Sequence, residues 1–304
     1  MANHLVFIAG SDIDYYYEVE SFLKEGDACM ATPLGRRVGG CVLNAAAVSS
    51  KLSSDVKVID YLKENDEDTD LLINSIKEKN IDTSYIKFDK DATNGKCLIM
   101  KKDNEKCIYV IEPKRPFFKE DEEMKDLLFN ASYIYSLMHI LKTSFENIEI
   151  LKEAKRKGVK FIFDAGSQYK DTYEIEYLKE LASGIFINKT ALERLNEKCG
   201  YDVIEDLLKK DLEFACVTDG SVGATCYTKD KIYFEPAYKI KVVDSTGAGD
   251  SFAGAFLHFL NKGYDYMKCL EFASANGAYA CTKEGGNAGA ITEEELVSFI
   301  DNNK

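Results

Sequence analysis

The sequence predicts an α/β protein of three layers, a mostly parallel sheet between two sets of helices, with a small β-sheet set beside it as a lid. Two observations carry this. From about Asn130 onward short β-like runs alternate with helical stretches. That rhythm requires crossover connections, and hence a parallel sheet covered on both faces. The N-terminal third differs: CLIMKKDNEKCIYVIE reads as two β-like runs around a polar turn at Asp103 and Asn104, and DIDYYYEVESF is a polar–aromatic stretch of strand type. These predict a lid built from two excursions, about residues 12–35 and 85–115. Residues 1–304 form a single domain with that lid.

Taken in order, the acidic run ENDEDTD at 64–70 reads as a solvated helix start. SYIYSLM is a strand, SFENIEILKEAKRKG a helix stopped at Gly158, then VKFIFDAG and GIFIN follow as strands. A helix spans Thr190 to Gly200, EFACVTDG is another strand, and Thr292 with Glu295 forms a capping box for the last helix. A net charge of -13 without a basic run speaks against nucleic acid and anionic membranes as partners. No run approaches membrane-spanning length, and no signal peptide is evident. Nine scattered cysteines, never spaced Cys-x-x-Cys, read as reduced thiols of a cytoplasmic protein. The glycosylation-like matches at Asn130 and Asn188 are then chance.

The chemistry concentrates in VVDSTGAGDSFAGAF, Val242 to Phe256. Phe252, Ala255, Phe256, Phe259 and Leu260 recur at helical spacing and Gly263 supplies the stop, so a helix of some 14 residues begins at about Ala248. Its first amides lack intrahelical partners and carry the positive end of the dipole. Glycines there admit an anion's oxygens: a phosphate site without a lysine. Asp250, in the first turn, reads either as a cap or as a general base beside a phosphoryl group.

DSTGAGDSFAG resembles the C-terminal signature of the ribokinase-like (PfkB) carbohydrate kinases, with Ser245 where threonine is common. VGGCVLNAAA, with Gly39, Gly40 and Asn44, resembles that family's Gly-Gly-x-x-x-Asn pattern. The resemblance spans nearly the whole chain and implies the ribokinase-like fold and an ATP-dependent sugar kinase. By it Asp250 is the base, and the amides of Gly247, Ala248 and Gly249 form the anion hole. Asp12 and Asp14 (in AGSDID), Gly39, Gly40 and Asn44 would meet the sugar. VTDGSVG implicates Thr218, Gly220 and Gly223 on the nucleotide side, with Asn188 and, beside the adenine, Asn276. Asp244 and the backbone at Thr246 resemble a monovalent-cation site, so the implied cofactors are ATP, magnesium and potassium.

Two departures stand out. Where the family often has Asn-x-x-Glu, the run is NKTALE: Ala191 stands at the Glu position, and Glu193 is about 200° away on a helix. FDAGSQ keeps Asp164 but lacks the Pro-Asn-x-Arg that often follows, so metal handling falls to water and Asp164. Lys114 and Arg115 read equally as contacts to an anionic substrate group or as a solvated turn. Arg36 and Arg37 stand next to the Gly-Gly site. Tyr15, Tyr16, Tyr17 and Phe117 could stack on a nucleoside base, although strand aromatics usually pack between sheets. His139 reads as a core histidine, and His4 and His258 as structural. The readings left open are a sugar kinase, a nucleoside kinase of the same family, and a non-catalytic sugar-binding homologue. An exposed lid edge predicts a homodimer joined lid to lid.

Overall fold

The computed structural model describes residues 4–103, 105–166 and 173–303. Asn104 of the expected turn, and Ser167 and Gln168 of FDAGSQ, lie outside the described residues. The strands in chain order are β1 (His4–Ile8), β2 (Asp12–Val19), β3 (Ala31–Gly39), β4 (Asp55–Lys63), β5 (Ile86–Asp89), β6 (Gly95–Lys102), β7 (Glu105–Ile111), β8 (Ala131–Leu137), β9 (Lys160–Asp164), β10 (Ala182–Asn188), β11 (Phe214–Thr218), β12 (Gly223–Thr228) and β13 (Ile232–Pro236). They form a nine-stranded sheet in the order β13-β12-β11-β10-β9-β8-β1-β4-β5 and a four-stranded lid in the order β3-β2-β6-β7.

In the large sheet β1, β4, β5 and β8 to β11 run parallel, while β12 and β13 add an antiparallel edge. All five residues of β1 (HLVFI) are buried, as a strand covered on both faces requires. The helix Ala248–Asn261 begins at the residue the periodicity indicates. It packs on the helix Cys41–Lys51, where Ser49 Oγ donates to Gly254 O at 2.8 Å. The reciprocal bonds between Thr292 and Glu295 close the last helix as a capping box.

The lid differs from its expected limits. Residues 86–89 pair with β4 in the large sheet, so the second excursion starts near Gly95, and the first runs on to Gly39. Strand IKFD is too short for its alternation to reveal which sheet takes it.

The acidic run is not wholly solvated either. Asp66 caps the helix Glu67–Glu78, but the side chain of Asp68 is only 5% exposed. It accepts from Tyr15 Oη (2.5 Å) on β2 and Arg36 Nη1 (2.6 Å) on β3, and Lys96 Nζ on β6 lies at 3.1 Å. Burial alone would raise its pKa, but Tyr15, Lys96 and Arg36 outweigh burial and lower it. Three lid strands are thus fastened to the core through one carboxylate, which gives Arg36 a structural partner.

Candidate active site

The chain crosses from core to lid between β1 and β2, through Ala9 and Gly10, both with positive φ. Asp12 and Asp14 therefore stand at the root of the lid. Gly39 and Gly40 lie against this crossing. A Cβ at Gly40 (φ 97°) would fall on the Gly10 carbonyl, and one at Gly39 on the Asp14 carboxylate. Gly39 thus lets the Asp14 carboxylate come close to the backbone of β3.

A cleft of about 220 Å³ opens at the C-terminal ends of β8 to β11, where α/β sites form. Asp250, Gly249, Cys41, His139, Asp164, Asn188 and Thr218 line it. Asn44 reaches the same point, its Nδ2 donating to Asp250 Oδ2 at 2.8 Å. Motifs at opposite ends of the chain thus meet in one hydrogen bond.

Desolvation raises the Asp250 pKa to about 7, the Asn44 and Cys41 bonds opposing it and Asp164 and Asp14 adding to it. Asp164 is raised to about 6 by burial, against the bond from Gly166 N (2.7 Å) and the Tyr135 hydroxyl at 3.4 Å. Asp12 is also raised to about 6 by desolvation, which Arg115 counters and Asp60 and Asp14 reinforce. Several carboxyls poised near neutrality in one region suit proton transfer and binding of a hard cation.

Gly247 caps the helix Ala248–Asn261 with φ 74°. Ala248 N makes a long bond of 3.3 Å to Ser245 O. A Cβ at Gly249 would meet nothing within 4 Å, so it would project into the open cleft that Gly249 lines. Gly249→Ala is expected to keep or gain stability, by up to about 1 kcal/mol from helix propensity. Any turnover should fall on the order of 10²-fold, because ~1 Å of misplacement costs that much. Thermal melting beside initial rates checks both halves.

Other residues take different places. Asn188 Oδ1 accepts from Ala191 N (2.8 Å) as the cap of the helix Lys189–Cys199, although the residue also faces the cleft. Ala191 is buried and Glu193 exposed, so neither brings a carboxylate to the cleft. Thr218 lines the cleft, while Gly220 and Gly223 shape the β11–β12 turn, where Asp219 N donates to Gly223 O at 2.8 Å.

Asn276 corrects its expected role. It is 0% exposed, and its Nδ2 donates to Ser251 O and Gly289 O, each at 3.1 Å, so it braces helices instead of facing adenine. Arg115 is likewise not a cleft residue: its side chain is 8% exposed and its Nε lies 3.3 Å from Asp60 Oδ1. Lys114 stays exposed, Arg37 reaches Glu284 at 3.4 Å, and His139, read as a core residue, opens onto the cleft.

Sequence reasoning passed over Cys41, Asp60 and Lys106. Asp60 was the most legible, an acid set between the apolar residues of VIDYL. It accepts from Ser11 N (3.2 Å) and Tyr61 N (2.8 Å), which pins the core-to-lid crossing.

The nine-stranded, mostly parallel sheet with a four-stranded lid beside it is the ribokinase-like fold. The chain belongs to the pfkB family of carbohydrate kinases, whose profile matches residues 3–293. It is 24% identical to a ribokinase of Staphylococcus aureus (strain COL), over 97% of this chain and 99% of that protein. It is 26% identical to a nucleoside kinase of Methanocaldococcus jannaschii, over 96% and 95%. The structure of Arabidopsis thaliana ribokinase complexed with ribose and ATP superposes with a TM-score of 0.84 at 23% identity, covering 99% of each chain.

Proposed function

We propose that the protein transfers the γ-phosphoryl group of ATP to a hydroxyl of a small sugar or sugar derivative. The observation that carries this is the Asn44–Asp250 bond, which joins the sugar-side motif to the phosphate-side helix start. Asp250 takes the proton of the acceptor hydroxyl as its oxygen attacks the γ-phosphorus. The bond to the β,γ-bridging oxygen breaks, releasing ADP. The helix N-terminus at Gly247, Ala248 and Gly249 faces the charge on the transferred group. Asp12, Asp14 and Asn44 hold the acceptor hydroxyls, and Thr218 and Asn188 flank the nucleotide.

Magnesium fits Asp164. The buried Asp164 carboxylate, close enough to Asp250 to raise that group's pKa, would hold a hard divalent cation. The ion would neutralise phosphate charge, and Asp164 would fix its position.

A nucleoside acceptor is the second reading, supported by the similarity to a nucleoside kinase and by Phe117, half exposed just beyond the lid. ADP release with ATP and magnesium, over a panel of sugars, sugar acids and nucleosides, tests both. One clear acceptor carries the proposal, and ligand binding without turnover on any would leave a non-catalytic binder. The free thiols of all nine cysteines accord with a cytoplasmic setting.

The lid edge β7 exposes Ile108, Tyr109, Val110 and Ile111 in succession. An open apolar edge is a pairing surface, which supports a homodimer joined lid to lid. Light scattering at micromolar concentration should give twice the chain mass, and Val110→Lys on this edge should halve it.

A further inference from the structure

The carboxylate that the resemblance assigns to a monovalent cation is already engaged. Asp244 Oδ1 accepts from Thr246 N (3.0 Å) and Thr246 Oγ1 (2.6 Å), and Oδ2 accepts from Gly285 N (3.2 Å). From the lid, Lys106 on β7 donates through Nζ to Thr246 Oγ1 and stands 3.5 Å from Asp244 Oδ1. The carboxylate that would draw a potassium ion thus already faces an ammonium of the same charge as that ion, and three of its acceptor positions are taken by the loop itself. These residues do not fit a free monovalent ion.

The contact is also a lid contact, joining residues 140 positions apart. It lands one residue before Gly247, at the entrance to the glycine loop. Burial raises the Asp14 pKa, with the Cys97 bond and the Lys106 charge opposing, so the lysine's field reaches the sugar side too.

We infer that Lys106 is the resident cation of the Asp244–Thr246 turn, a positioning residue whose ammonium orders the glycine loop from the lid without potassium. Through Thr246 and Asp244 it sets the direction of the amides at Gly247 to Gly249. Sodium, potassium and a bulky organic cation should therefore serve the protein equally. The inference rests on the kinase reading for its effect on turnover, but not for its effect on nucleotide binding.

The test is calorimetric titration of the full chain with magnesium and a non-hydrolysable ATP analogue, adenylyl imidodiphosphate, in potassium chloride and in tetramethylammonium chloride of equal ionic strength. Turnover on the best acceptor is measured in parallel. Wild type and Lys106→Arg should behave alike in both salts. Lys106→Met should lose about tenfold in affinity in tetramethylammonium, the order expected for one charge-assisted hydrogen bond, and recover it in potassium. Marked potassium stimulation of the wild type would overturn the inference. So would a Lys106→Met variant that matches wild type in tetramethylammonium, or one impaired alike in both salts. Should no acceptor turn over, the calorimetric arm still decides the role of Lys106, and the kinase reading falls separately.

Discussion

Asp250→Asn is expected to abolish turnover and to stabilise the fold at the same time. Loss of a general base costs about 10²–10⁴-fold in rate, and an amide cannot accept the proton. The stability half follows from the raised pKa, which desolvation pushes to about 7 against the Asn44 bond. Between the unfolded value near ~4 and 7, the native state binds more protons than the unfolded chain. Stability from this group is therefore full at acid pH and is lost as pH rises through 7. Above that, the folded protein carries a desolvated charge that the asparagine variant lacks. After a discount for partial exposure and the altered Asn44 bond, the gain is roughly 1–2 kcal/mol at pH 8, or a few degrees in Tm, and it should vanish near pH 4. Differential scanning calorimetry at both pH values measures it, and a variant less stable than wild type at pH 8 refutes it. The same carboxyl predicts that wild-type kcat climbs with pH through about 7.

Gly247→Ala should destabilise the fold where Gly249→Ala does not, although the two glycines are neighbours but one. At Gly247 the backbone is left-handed with φ 74°, and a Cβ would fall on the Gly286 carbonyl. Left-handed geometry alone costs a non-glycine residue about 1–2 kcal/mol. The collision is with backbone, which cannot rotate aside, so a total of roughly 2–4 kcal/mol is expected. The displaced strand of contacts includes Gly285 N on Asp244, hence the turn that leads into the glycine loop. A lowered urea midpoint together with a rate loss of ~10²-fold or more is the expected result. An unchanged midpoint would show that the 285–286 segment yields freely.

What the sequence disclosed depended on whether the cause was local. The helix at Ala248 was legible to the residue because its start, apolar face and stop all lie within the same 16 positions. The Thr292–Glu295 box was legible for the same reason. Asp68 was misread because its neighbours in sequence are acidic and exposed, while the partners that bury it come from three strands of another sheet. Asn276 was misread because a family helix was matched by order, and which face of it turns inward depends on Ser251 and Gly289. Arg115 followed the chemistry of anion binding until Asp60, 55 positions earlier, was seen beside it. Lys106 sat in a polar hairpin that gave no sign of reaching Thr246.

The Asn44–Asp250 bond also bears on how the molecule comes to exist. Its partners are 206 residues apart, so neither can help the other until all the chain between them has been made. Closing a loop of that length costs about 5 kcal/mol in chain entropy, and topologies of such long range fold slowly. During synthesis β1 can pair with β4 early, but its other edge waits for β8, some 70 residues later. A ribosome-bound chain ending at residue 200 would hold Asp12, Asp14 and the lid, and none of the helix Ala248–Asn261. Catalytic competence therefore waits until the helix Ala248–Asn261 has been made, and apolar segments made before it stand exposed to aggregation in the interval.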